Sequence, residues 1–195
     1  SPRIAVLAGQ RRDWAKKEYH MTSSTTVYVL DNQDRIISFS GAWDEFAKEN
    51  GGTNLSSIDV YGRSIWDFVT GDATRMWLDA VFQYARLRGL KVERPYRCDS
   101  PDLKRFMRMR VVPEQASILR IEHEILSTEQ RIASVIIKCG SITMKNTRQR
   151  CSICGRLKNI GGWQEPHEDH VNGPGGIIVI YTVCEDCQRS MPGTS

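Results

Sequence analysis

The sequence predicts an α+β fold, with one antiparallel sheet covered by helices on one face and a small module at the C-terminal end. Three observations predict it. Alternating β-branched and aromatic residues open a hairpin at Val27 and return in three runs over 92–126. Between those groups the apolar residues recur at helical spacing, over 42–47 and again over 73–84. Beyond Ser127 the texture changes to a polar, glycine-rich stretch that carries two Cys-x-x-Cys pairs.

In chain order, residues 1–24 form an extension in which 13–19 reads as a helix and Arg11, Arg12, Lys16 and Lys17 add positive charge. Val27-Tyr28-Val29-Leu30 and Ile36-Ile37-Ser38-Phe39 flank a polar turn over 31–34, which is a hairpin signal. Ala42, Trp43, Phe46 and Ala47 then share one helical face, and Asn50-Gly51-Gly52 stops that helix. Asp72 is placed to cap a longer helix in which Ala73, Met76, Trp77, Ala80, Val81 and Tyr84 form an apolar stripe, and Gly89 ends it. Three strands follow. The first, 92–98, is broken by Pro95, which favours an edge position or a bulge. The other two, 106–112 and 118–126, are joined by a hairpin loop over 113–116. Alternation puts Met107, Met109, Ile121 and His123 on the face opposed to Trp77, and lets Arg108 and Arg110 pair across strands with Glu122 and Glu124 on the other face.

This order of elements, with Gly62-Arg63-Ser64-Ile65-Trp66-Asp67-Phe68-Val69 ahead of the long helix, resembles a PAS domain over about a hundred residues. The resemblance implies a PAS-like antiparallel sheet with helices on one face, the helix after Asp72 forming the back wall of a pocket. Trp77, Met107, Met109 and His123 are the candidate pocket residues. An aromatic stripe is first a packing surface, and a core histidine with a backbone partner is the commoner use of such a residue. PAS proteins that bind haem usually take the axial histidine from the long helix, and 72–89 contains none. The cysteine that forms a flavin adduct in light-sensing relatives has no counterpart over 41–69. The pocket ligand is therefore unnamed.

The two cysteine pairs are Cys151-Ser152-Ile153-Cys154 and Cys184-Glu185-Asp186-Cys187, with 29 residues between Cys154 and Cys184. Each pair can wrap a turn so that two thiolates point to one centre, and two such knuckles complete a tetrahedral Zn(II) site. Cys151, Cys154, His167 and His170 offer a rival set. Gly161, Gly162 and Pro166 interrupt the helix that set would need, and its final spacing is one residue short. A redox pair of disulfides is the other reading of Cys-x-x-Cys. Four thiolates leave no open position, so the expected zinc is structural. Cys98 reads as a small buried thiol, and Cys139 has no evident partner.

The expected division is an extension (1–24), the PAS-like domain (25–129), a linker (130–149) and a zinc-binding module (150–195). Net charge is +4, but Lys and Arg are interleaved with Asp and Glu, which describes a solvated surface and only weakly favours an anionic partner. No apolar run approaches the roughly 18 residues that span a bilayer, and 4–8 is too short and badly flanked for a signal peptide, so a cytoplasmic protein without a membrane partner is expected. No Ser-His-Asp order, phosphate-binding loop or paired-carboxylate site stands out, which argues against an enzyme. The expected function is a sensory or regulatory module for signal transduction, with a small molecule, a protein partner or a second copy of the chain bound. The alternative is a nucleic-acid-binding transcriptional regulator, in which a zinc ribbon presents Lys145, Arg148, Arg150, Arg156 and Lys158, and the PAS-like domain dimerises.

Overall fold

The computed structural model describes residues 25–41, 43–44, 56–140, 147–167 and 176–190. The helix expected over 13–19 lies outside them, as does most of the one expected from Ala42, of which Trp43 and Asp44 are helical. The fold is α+β, with two five-stranded sheets and few helices. No helix among the described residues is long and apolar enough to cross a membrane.

Strands β1 (Thr26–Leu30) and β2 (Ile36–Gly41) form the expected hairpin. Its turn is built by Asp31, whose Oδ1 accepts from the Gln33 and Arg35 amides at 2.8 Å each, while Asp34 takes a positive φ of 60°. The Asp34 carboxylate then reaches inward, accepting from Trp66 Nε1 at 3.0 Å and from Arg86 at 2.7 Å. The hairpin turn is thereby tied to two helices. Helix α1 (Ser57–Val60) and a 3₁₀ turn (Ile65–Asp67) follow, each capped by the preceding serine, Ser56 and Ser64.

Helix α2 (Asp72–Arg88) ends at Gly89 in the left-handed conformation, as the sequence predicts. Its start is corrected: Gly71 is the N-cap, and Asp72 is the first helical residue with no side-chain cap. The buried stripe is also turned from the expected one. Thr74, Trp77, Val81, Phe82 and Ala85 are buried, and Met76 is 74% exposed. The helix is turned so that Thr74 can bond into the second sheet, as described below.

Strands β3 (Val92–Arg97), β4 (Leu103–Pro113) and β5 (Leu119–Gln130) complete the first sheet, entirely antiparallel in the order β2-β1-β5-β4-β3. β3, with Pro95, is an edge strand. The register pairs Met109 with His123 and Val111 with Ile121, so alternation holds. On the outer face Arg108 and Arg110 bind Glu124, each at 2.8 Å, and Glu93 of β3 joins them.

The second sheet is mixed: β6 (Ile137–Cys139), β7 (Arg148–Cys151), β8 (Leu157–Asn159), β9 (Gly162–Gln164) and β10 (Ile177–Thr182) lie in the order β6-β10-β7-β8-β9. A last helix, α3 (Glu185–Arg189), follows β10. This corrects the linker expected over 130–149. β6 falls inside that range and pairs in parallel with β10, and the chain leading to it is bound to the first sheet's 101–102 loop through Arg131 N–H to Asp102 O and Val135 N–H to Pro101 O. The sequence hid this because β6 is three residues long and only Ile137 in it is apolar.

The main core lies between α2 and the first sheet, where Leu30, Ile36, Phe68, Val81, Phe82, Leu119 and Ile121 are fully buried. Cys151, Ile153, Val183 and Cys184 belong to that same core. The C-terminal module is therefore not a separate body on a tether.

Candidate metal centre

Both knuckles are products of strand ends. β7 finishes on Cys151, the chain turns through Ser152 and Gly155, and it returns as β8 with Gly155 N–H bonded to Cys151 O at 3.0 Å and Cys151 N–H to Arg156 O at 2.8 Å. Gly155 has φ +75°, a backbone conformation that favours glycine, and a Cβ there would lie 3.3 Å from the Arg150 guanidinium, which would have to give by a few tenths of an ångström. β10 runs parallel to β7 with Thr182 opposite Cys151. That pairing brings the second knuckle to the same end of the sheet, where Cys184 is the N-cap of α3 and Cys187 lies within its first turn.

The result is a group of four sulfur atoms, from Cys151, Cys154, Cys184 and Cys187, all within 4.8 Å of one another. None is in a disulfide; Cys154 and Cys184 Sγ are 3.8 Å apart, too far for an S–S bond of about 2.05 Å. Protein donors face the sulfurs, among them Cys184 N–H to Cys151 at 3.4 Å and Arg156 Nε to Cys154 at 3.3 Å. Hydrogen bonds from Cys151 and Cys187, followed by those from Arg156, hold the Cys154 thiol far below its ordinary value. The Cys151 thiol, donating toward Cys154, is pushed up to about 11, and Cys187 is pushed up by Cys151 and Cys154. With one thiol lowered and two raised, the group shares its protons, and binding a cation through all four sulfurs requires the remaining protons to leave.

The centre is fastened to the first sheet by its own knuckle. Ser152, a spacer of the first Cys-x-x-Cys, meets Thr74 of α2 with 2.6 Å between hydroxyls and donates to Thr182 O at 2.9 Å. Ile153 O accepts from the Arg97 amide of β3 at 2.7 Å. Neither tie was foreseen, since spacer residues in a knuckle carry no pattern of their own.

Of the rival set, Cys151 and Cys154 belong to the four-thiol group. His167 is exposed and stands outside the four-thiol group, and His170 lies outside the described residues. Of the basic residues near the knuckles, Arg156 pairs with Asp186 at 3.5 Å and Lys158 with Glu185 at 3.6 Å, and Arg150 is buried against Asp99 and Gly155 O. Lys145 lies outside the described residues.

On the helix-facing side of the first sheet, Trp77, Met107 and Met109 are all buried. His123 sits with them, between two tyrosines: Nδ1 lies 2.8 Å from Tyr96 Oη and Nε2 3.4 Å from Tyr28 Oη, with its ring stacked on that of Tyr28. Burial lowers His123 to about 4 and raises both tyrosines, so all three are neutral near pH 7. Among the described residues, Trp77 Nε1 and Arg94 Nε are buried without a hydrogen-bond partner. Arg94 shares the face of Tyr96, opposite Met109, and was not foreseen, because a lone arginine in an edge strand reads as solvent-facing. Burial raises the Cys98 thiol, which fits a packed rather than a reactive cysteine, and Cys139 is exposed. No family model, curated protein or solved structure matches the chain.

Proposed function

We propose that the chain is a PAS-like sensory or regulatory module of the cytoplasm, without enzymatic activity, in which a structural Zn(II) fixes the second sheet against the sensing domain. The order β2-β1-β5-β4-β3, with a hairpin at one side and all helices between β2 and β3 available to cover one face, supports the PAS-like reading. The observation that carries a ligand-binding role is the polar lining of the covered face. Among the described residues Trp77 Nε1 and Arg94 Nε have no hydrogen-bond partner there, on the same side as the His123–Tyr pair. Unpaired buried donors are costly, and a small acceptor-bearing molecule bound between α2 and β3 would relieve the cost.

For the metal, Cys151, Cys154, Cys184 and Cys187 are the ligands. A tetrahedron with zinc–sulfur bonds of about 2.3 Å has edges of about 3.8 Å, the separation of Cys154 and Cys184 Sγ. Zinc supplies no chemistry beyond sharing the charge of four thiolates. The residues around it hold Thr74 and Arg97, so metal loading and the position of α2 are mechanically joined.

The pairing of Arg156 and Lys158 with acids of α3 weighs against the nucleic-acid reading. Native mass spectrometry of the full chain tests the proposal: one zinc per chain and a retained small molecule are expected. Absence of zinc in protein prepared without chelator or oxidant overturns the metal assignment. Tight DNA binding with a steep salt dependence would replace the sensory reading by the nucleic-acid one.

A further inference from the structure

The four sulfurs of the metal centre are not equally covered. Cys151 and Cys184, the first cysteine of each knuckle, are buried, whereas Cys154 and Cys187, the second of each, are half-buried. The half-buried thiolates are the ones that water and competing ligands reach first. Over Cys154 lies a charged side chain. Arg156, two residues further on, donates from Nε to Cys154 Sγ at 3.3 Å. Its Nη2 lies 3.5 Å from Asp186 Oδ2, and Asp186 is a spacer of the other knuckle, Cys184-Glu185-Asp186-Cys187.

Nε and Nη2 form one edge of the planar guanidinium, so a single rigid fork spans both knuckles, with a sulfur at one prong and a carboxylate at the other. The carboxylate is itself held, because Arg189 at the end of α3 donates to Asp186 Oδ1 at 2.5 Å. The backbone of Arg156 is placed as firmly as its side chain. Gly155 turns the chain with its positive φ, and Arg156 O accepts from the Cys151 amide at 2.8 Å, which fixes the residue beside the centre before β8 begins. Lys158, on the same strand, pairs instead with Glu185, the other acidic spacer of the second knuckle, at 3.6 Å.

We propose that Arg156 is a positioning residue of this centre: by donating to the Cys154 sulfur while braced on Asp186, it keeps the outer thiolate in the ligand set and slows the loss of metal. The inference rests on the four-thiol metal reading and goes beyond it, since it gives metal retention to a residue outside the cysteines. Removing a hydrogen-bond partner of a metal ligand typically changes affinity by about 10–100-fold. The Arg156 side chain is 33% exposed, so water replaces part of what it gives, and the lower end of that range is expected. A donor on sulfur also draws electron density from it, which raises the energy of sulfur-to-metal charge transfer.

Cobalt(II) bound to the full chain tests the two readings separately. The parent should give the intense thiolate charge-transfer bands and the tetrahedral d–d bands of a four-sulfur site; their absence would withdraw the metal reading, and this inference with it. With those bands present, Arg156→Met should move the charge-transfer band to longer wavelength, and its zinc form should yield metal to a chromogenic chelator about tenfold faster than the parent. Lys158→Gln, which removes the neighbouring ion pair with Glu185, should leave both unchanged. Arg156→Lys keeps the charge without the fork and should regain the smaller part of the lost retention. An Arg156→Met chain with the parent's band and release rate, a Lys158→Gln chain that changes as much, or full rescue by lysine would each overturn the proposal. If Arg156→Met takes up no cobalt, Asp186→Asn, which removes the brace and leaves Arg156 in place, decides: faster release than the parent supports the proposal, and release at the parent's rate overturns it.

Discussion

The two sheets have the same number of strands and almost opposite ways of staying folded. The first buries a continuous apolar layer against α2, with Phe82, Leu30, Ile36, Leu119 and Ile121 fully enclosed. Among the described residues, the second has a buried cluster of Val135, Leu157, Ile177 and Val179, with Ile137 and Tyr181 packed against it, and β7 meets β8 through a single residue pair, Arg150 with Leu157. What apolar surface its knuckles carry is spent in the first sheet's core, through Ile153 and Val183. A sheet with so little of its own to bury is held by what lies at its boundary: four thiols, and three arginines around Asp99.

The most severe way to break this contrast is to remove the metal proposed for the four thiols. Structural zinc in small modules supplies on the order of 10 kcal/mol of apparent binding free energy, more than the second sheet's four-residue cluster can replace. Chelation, or Cys184→Ser, should abolish amide-exchange protection in β7, β10 and α3 and loosen the first turn of α2 through the Thr74–Ser152 bond. β1, β4 and β5 should stay protected. His167→Ala should do neither. Loss of protection throughout β1 and β5 on chelation would show that the first sheet is no more independent than the second.

The next largest effect is at the charged seam. Asp99→Ala leaves three largely buried guanidiniums without their shared carboxylate, and breaking a buried ion pair by removing one partner costs about 3–5 kcal/mol. Urea denaturation of the zinc-loaded chain should report a loss of that size. A loss below about 1 kcal/mol would mean that water already solvates the arginines.

Core truncation sharpens the comparison from the other side. Phe82→Ala should cost about 3–5 kcal/mol and Leu157→Ala about 2–3 kcal/mol, the low end for a buried leucine, because a small cluster beside a turn-rich loop can relax into the space. Both are read from the shift in the denaturation midpoint with zinc present. If Leu157→Ala costs as much as Phe82→Ala, the second core is better packed than its size implies.

How much of this was legible depended on whether a residue's role is local. The hairpin at 31–34, the Gly89 stop, the edge position of β3 and the outer-face Arg–Glu pairs follow from turn chemistry and alternation, which act over a few residues. The four cysteines were found by spacing, for the same reason. The burial of Thr74 and exposure of Met76 could not be read from helix periodicity, since they depend on a second sheet formed 78 residues away. Asp34 looked like one more turn residue, and its side chain proved to anchor Trp66 and Arg86. Strand β6 escaped because three residues are too few to show a period, and Asp99 because two of its three arginine partners, Arg131 and Arg150, come from distant segments.

The smallest effect concerns His123, and it separates the sheets by pH rather than by truncation. Its ring lies between Tyr28 and Tyr96, whose own hydroxyls are held protonated by burial. Burial lowers it from 6.5 to about 4. Below about 6.5 the unfolded chain takes up a proton that the folded chain refuses, so the stability contributed is complete above pH 6.5, falls between 6.5 and 4, and stays lost below that. At pH 5 the loss is about 2 kcal/mol, from about 1.4 kcal/mol per pH unit over the part of the window crossed. Other carboxylates titrate in the same range, so the measured quantity is the difference between the parent chain and His123→Gln, which keeps a donor and an acceptor for the two tyrosines and does not titrate. The difference in unfolding free energy between the two should shrink or reverse in favour of His123→Gln on going from pH 7 to pH 5, by about 2 kcal/mol. The readout should be the first sheet, followed by near-ultraviolet circular dichroism of its buried aromatics. An unchanged difference between the two chains over that range would mean that His123 titrates as freely as in solvent, and that the polar face under α2 is open rather than enclosed.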